Sequence, residues 1–255
     1  MMKFPRETLD ARAERLLPHC QIFKPEGDGP FPTAFLFHGC GDPDGPQPGY
    51  AKAAAAKGVA CVVVDSFRPR GVSLTEARVL VCTGLRLWGR ERAGDLIALM
   101  QWARGQDWVA SDRLAAAGWS HGGWTVMDAL ALGAEVAEFA DLEGVPTDPL
   151  VGLATAFLVY PWCGLGAQTL RRGWQKAIPT YLILGEDDTL SGTRYPLKAM
   201  DKIRATGARV ETHVYPGATH SFDEETSVNP TFRFDPVKTA DAHARFATWM
   251  ASQLM

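Results

Sequence analysis

A doubly wound α/β sheet, mostly parallel with helices on both faces, is the fold class this sequence predicts. Two observations carry that expectation. Short apolar runs recur along the chain, hydrophobic at nearly every position, as strands buried on both faces require. Most are followed by a stretch with helical periodicity, and such strand–helix alternation builds a layered α/β domain.

The predicted strands, in order, are Ala34–His38, Val59–Asp65, Leu114–Gly118, Ala154–Tyr160, Thr180–Gly185 and Arg209–Tyr215. His19–Lys24 adds a possible edge strand. Helices are expected over Tyr50–Lys57, Arg90–Arg104, His121–Leu132, Arg194–Thr206 and Val237–Gln253. In Arg90–Arg104 the residues Leu96, Ile97, Leu99, Met100 and Ala103 form one apolar face. No linker divides the chain, so residues 1–255 read as a single domain, with insertions near 67–89 and 139–152.

Composition narrows the function classes. The chain is 46% hydrophobic and 22% charged, ordinary for a globule with a sizeable core. A net charge of −3 gives nucleic acid or an anionic membrane nothing to hold. Charged residues or glycines interrupt every apolar run, and the charged N-terminus lacks the apolar centre of a signal peptide. The five cysteines, Cys20, Cys40, Cys61, Cys82 and Cys163, show no CxxC or CxxH spacing, which argues against zinc. They are expected to be thiols in a reduced, cytoplasmic compartment.

Ligands of such sheets bind beyond the carboxyl ends of the strands. There, Gly118-Trp119-Ser120-His121-Gly122 forms G-x-S-x-G between a strand and a helix. In a nucleophile elbow the two glycines relieve the crowding around a serine forced into a sharp turn. Serine needs a base, held by a third group, and in this arrangement the chain order is serine, acid, histidine. Glu186, Asp187 and Asp188 follow the strand Thr180–Gly185, and all three are candidate acids. Of six histidines only His220 combines the right order with a loop after the last strand. The oxyanion hole calls for two backbone N–H groups. His121 supplies one, and the loop His38–Asp42 the other, from Cys40 with Gly41 as the alternative.

The segments FLFHGCG, VVVDSFRPRG, AGWSHGG, LILGEDD and YPGATHSFD run in order from Phe35 to Asp223. With them the chain resembles the α/β-hydrolase superfamily and, within it, the dienelactone hydrolase-like family. The resemblance implies hydrolysis of a small carboxylic ester or lactone without metal or organic cofactor. It also implies Asp188 as the acid, with Asp187 as runner-up. Dienelactone hydrolases proper use a cysteine nucleophile, and Ser120 in its place favours a general serine esterase. Arg68 and Arg70, beyond the second strand, can either hold a substrate carboxylate or pin their loop; Arg70 is the substrate-binding candidate. Cys82 and Cys163 read as packing residues. The competing readings are a prolyl-oligopeptidase-like serine peptidase and a ligand-binding protein that keeps the fold without the chemistry.

Overall fold

The computed structural model describes residues 6–227 and 229–255. Its centre is a seven-stranded sheet. The strands are β1 (Gln21–Phe23), β2 (Phe31–Phe37), β3 (Ala60–Val64), β4 (Val109–Trp119), β5 (Leu153–Val159), β6 (Thr180–Gly185) and β7 (Val210–Tyr215). Their spatial order is β1-β3-β2-β4-β5-β6-β7. Only the edge strand β1 runs antiparallel, against β3; the other neighbours are parallel. β3 and β6 are buried at every residue, which explains their unbroken apolar sequences.

Six longer helices cover the two faces: α1 (Leu9–Leu16), α2 (Gln47–Ala55), α3 (Gly89–Ala103), α4 (His121–Leu132), α5 (Arg194–Arg204) and α6 (Pro236–Leu254). One core layer joins α1, α3, α4 and α5 to residues such as Phe35, Val62, Leu114 and Leu158. The other joins α2 and α6 to Leu36, Val63, Ala117 and Phe157 from the opposite side of the same strands. That division follows from the two-residue alternation of a strand.

Several elements depart from the sequence expectation. Helix α2 begins at Gln47, a turn before the expected Tyr50, because Pro48 sits in the first turn, where its missing N–H costs nothing. Helix α1 was not foreseen. Thr8 caps it, and its buried residues Leu9, Ala13 and Leu16 keep helical spacing among charged neighbours. The 139–152 stretch contains Leu142–Glu143, which pairs in parallel with Glu7–Thr8. The 67–89 stretch folds into short helical turns at Arg68–Arg70, Leu74–Glu76 and Ala77–Val81.

The cysteines correct the expectation of five thiols. Cys40 and Cys82 are paired in a disulfide, with Cα atoms 5.9 Å apart, while Cys20, Cys61 and Cys163 are free. The 67–89 stretch carries Cys82 back to the loop after β2, a closure across 42 residues that spacing does not disclose. Disulfides persist in oxidising compartments, so the cysteine count no longer argues for a reduced one. Among the described residues no helix is long and apolar enough to cross a membrane.

Candidate active site

Ser120 stands between the end of β4 and the start of α4 with φ 51° and ψ −112°, a conformation that L-residues rarely adopt. The two flanking glycines make it possible. A Cβ at Gly118 would lie 2.2 Å from the Gly122 carbonyl oxygen, and one at Gly122 would lie 1.9 Å from that of Phe37. Neither position tolerates a side chain. The strained turn lifts the hydroxyl into a cavity of about 440 Å³, lined also by Gly39, Cys40, Tyr160, His220 and Glu224.

The loops after β6 and β7 bring two further residues to the serine. His220 Nε2 lies 2.9 Å from Ser120 Oγ, and His220 Nδ1 lies 2.8 Å from Asp188 Oδ2. All three residues are buried. Asp188 Oδ1 accepts the backbone N–H groups of Leu190 (2.8 Å) and Ser191 (2.9 Å). Burial alone pushes the Asp188 carboxyl upward, but its hydrogen bonds and the nearby His220 outweigh that and hold it below the ordinary carboxylate range. The neighbouring acid Asp187 is half exposed and faces Arg233 at 3.3 Å. Arrayed this way, a proton on Ser120 Oγ has a path to His220, and the imidazolium that forms faces a carboxylate.

The two expected oxyanion donors flank Ser120 in different ways. His121 opens α4, and Cys40 lines the cavity with Gly41. A Cβ on Gly39 would come within 3.1 Å of Ser120 Cβ, so this loop passes directly against the serine. Behind it lies a buried group that the sequence did not announce. His38 Nδ1 is 2.7 Å from the Gly39 carbonyl, and its Nε2 accepts the Ser66 N–H at 3.3 Å. That fixes a neutral ring and orients the Gly39–Cys40 peptide. Arg92 Nη1 donates to the His38 carbonyl at 3.0 Å and to His121 Nδ1 at 3.0 Å, and His121 Nε2 donates to the Leu87 carbonyl at 2.9 Å. Burial, reinforced by the Arg92 charge, holds both imidazoles well below the ordinary histidine value. One guanidinium therefore ties the loop after β2 to the residue after the serine.

A second buried network supports the histidine loop. Asp223, three residues after His220, accepts hydrogen bonds from Tyr50 Oη (2.6 Å), Trp119 Nε1 (3.1 Å) and the Tyr160 hydroxyl. Tyr160 has φ 37°, and its ring centre is 4.6 Å from that of His220.

Arg70 is not at this site, which corrects its assignment to substrate binding. Its guanidinium is buried and bidentate on Asp95, at 2.6 and 2.8 Å, with a further bond to the Ser66 carbonyl. Asp95 also receives Arg12 at 2.9 Å. The arginine turns inward because a helix of the adjacent layer offers it a carboxylate that water cannot reach. Arg68 pairs with Asp44 at 2.6 Å and Asp65 at 3.3 Å, and it too is absent from the cavity lining. Among the described residues, no group of three or more His, Cys, Asp or Glu side chains could hold a metal ion.

Comparison with known proteins bears on the fold. The prolyl oligopeptidase family model matches residues 51–139, less than half of the chain's 255 residues; the match includes Ser120 but neither Asp188 nor His220. No curated protein sequence matches the chain. Among solved structures, a dienelactone hydrolase candidate from Klebsiella pneumoniae subsp. pneumoniae superposes with a TM-score of 0.67 at 17% identity, covering 91% of this chain and 92% of that one. A dienelactone hydrolase-like promiscuous phosphotriesterase from metagenomic libraries gives 0.66 at 16% identity, with 92% of each chain covered. The propionate-bound esterase Est2 of Thermogutta terrifontis gives 0.63 at 16% identity, covering 91% of this chain and 89% of that one. Strand order, the strained turn at Ser120 and structural likeness agree: this chain has the α/β-hydrolase fold.

Proposed function

We propose that this protein is a serine hydrolase that cleaves a small carboxylic ester or lactone through an acyl-enzyme. The observation that carries the proposal is the continuous hydrogen-bonded line Ser120–His220–Asp188 at the cavity. His220 takes the proton as Ser120 Oγ attacks the carbonyl carbon, and Asp188 stabilises the imidazolium. The carbonyl oxygen, now anionic, is held by the Cys40 and His121 N–H groups, with Gly41 as the alternative to Cys40. His220 returns the proton to the leaving alkoxide, and the serine ester remains. Water, deprotonated by His220, repeats the attack and releases the acid.

A cavity of about 440 Å³ fits a small substrate. The dienelactone hydrolase-like and esterase relatives by fold support an ester or lactone rather than a peptide bond. The prolyl oligopeptidase match supports the peptidase alternative only through the nucleophile region.

Ser120→Ala, His220→Ala and the double variant test the mechanism on a short p-nitrophenyl ester. Each single change is expected to lower kcat by roughly 10⁴–10⁶, with the double variant hardly worse, because the residues act as one unit. Losses that multiply in the double variant would contradict it.

A further inference from the structure

The cavity contains a carboxylate that the proposed reaction does not use. Glu224 follows His220 by four residues and is 9% exposed. Its carboxylate packs against the loop after β2 so closely that a Cβ on Gly41 would lie 2.6 Å from Oε1 and 2.7 Å from Oε2. Of the other charged chains lining the cavity, Asp42 is acidic and Arg78 is exposed; burial and the neighbouring Asp223 push the Glu224 carboxyl above its ordinary value, against the Asp42 N–H and the Arg78 charge.

An anion in this place works against ester cleavage. The carbonyl oxygen becomes negative beside Cys40, one residue from the glycine that Glu224 touches. At an effective dielectric constant of about 20, repulsion between two like charges on one cavity wall slows the step by about tenfold or more. A substrate that carries its own positive charge cancels the penalty. The same cavity is lined by the aromatic residues Tyr160 and Phe232, a residue type that attracts cations.

We infer that Glu224 is a specificity residue that selects esters bearing a cationic group, such as a substituted or quaternary ammonium, close to the scissile carbonyl. This rests on the serine hydrolase reading above. It also reverses the charge that a substrate-binding Arg70 would have implied.

The test compares charged and neutral isosteres on the wild-type enzyme. One pair places the charge on the acyl side: the p-nitrophenyl ester of trimethylammoniobutyrate and its tert-butyl analogue. A second pair places it on the leaving side: acetylthiocholine and dimethylbutyl thioacetate. The expected result is a kcat/KM at least about tenfold higher for the cation in one pair or both. Glu224→Gln should shrink that ratio to near unity, mainly by raising the rate on the neutral ester. Equal kcat/KM within both pairs overturns the inference alone, as does a cation preference that survives in Glu224→Gln. Hydrolysis of none of the four esters overturns the hydrolase reading and this inference with it.

Discussion

Replacing Asp188 by Asn changes one atom, and the structure states which way the new amide must face. Asp188 Oδ1 accepts two backbone N–H groups, from Leu190 and Ser191, at 2.8 and 2.9 Å. An asparagine that turned its NH₂ toward them would set donors against donors. The amide oxygen therefore keeps that place, and Nδ2 replaces the oxygen that now faces His220 Nδ1 at 2.8 Å. A donor there forces Nδ1 to accept, which puts the ring proton on Nε2. Nε2 faces Ser120 Oγ at 2.9 Å and can then no longer take the serine proton. A wrong tautomer of this kind lowers kcat by about 10⁴, or about 5 kcal/mol of transition-state stabilisation. Asp187→Asn removes an exposed pairing with Arg233 and is expected to change kcat by no more than about twofold. The assay is kcat on a short p-nitrophenyl ester, with Tm measured on both variants. A loss below about tenfold for Asp188→Asn with the fold intact, or an equal loss for Asp187→Asn, would refute the orientation argument.

Two further outcomes follow from the corrected assignments. Arg70→Met breaks a buried bidentate pair but leaves Asp95 with Arg12, so about 3 kcal/mol of stability should be lost. At roughly 2–4 °C per kcal/mol, Tm falls by about 6–12 °C, while the preference between anionic and neutral esters stays unchanged; altered charge preference with an unchanged Tm would return Arg70 to the substrate. Titration of the unreduced, denatured protein should find the three thiols of Cys20, Cys61 and Cys163, and five would exclude the Cys40–Cys82 bond.

The parts of this molecule readable in the sequence are those whose physics is local. β3 and β6 are buried on both faces and say so residue by residue. Ser120 is legible because only glycine can stand at 118 and 122, where backbone oxygens come within about 2 Å of a Cβ. His220 is singled out by chain order, and Asp188 is preferred to Asp187 by family resemblance rather than by its own surroundings. What stayed hidden depends on partners distant in the chain. Arg70 lies beyond its strand, as its place in the chain suggests, but its direction is set by Asp95, 25 residues on. Arg92 was visible only as the polar flank of a helix. Nothing nearby indicates that it reaches His38 and His121, 54 and 29 residues away. Glu224 gives no signal in the sequence, because an acidic residue after the histidine loop reads as solvated until the fold presses it onto Gly41. For α1, the spacing of Leu9, Ala13 and Leu16 after the capping Thr8 was a usable signal.

Covalent trapping tests whether Ser120 is a nucleophile activated by His220. The folded protein is incubated with a fluorophosphonate, digested, and the modified peptide is sequenced by mass spectrometry. One phosphonyl group per chain, on Ser120, is the expected result, with labelling abolished in Ser120→Ala and strongly slowed in His220→Ala. No labelling of the folded protein, labelling at another residue, or labelling of Ser120 at an undiminished rate in His220→Ala would contradict the account.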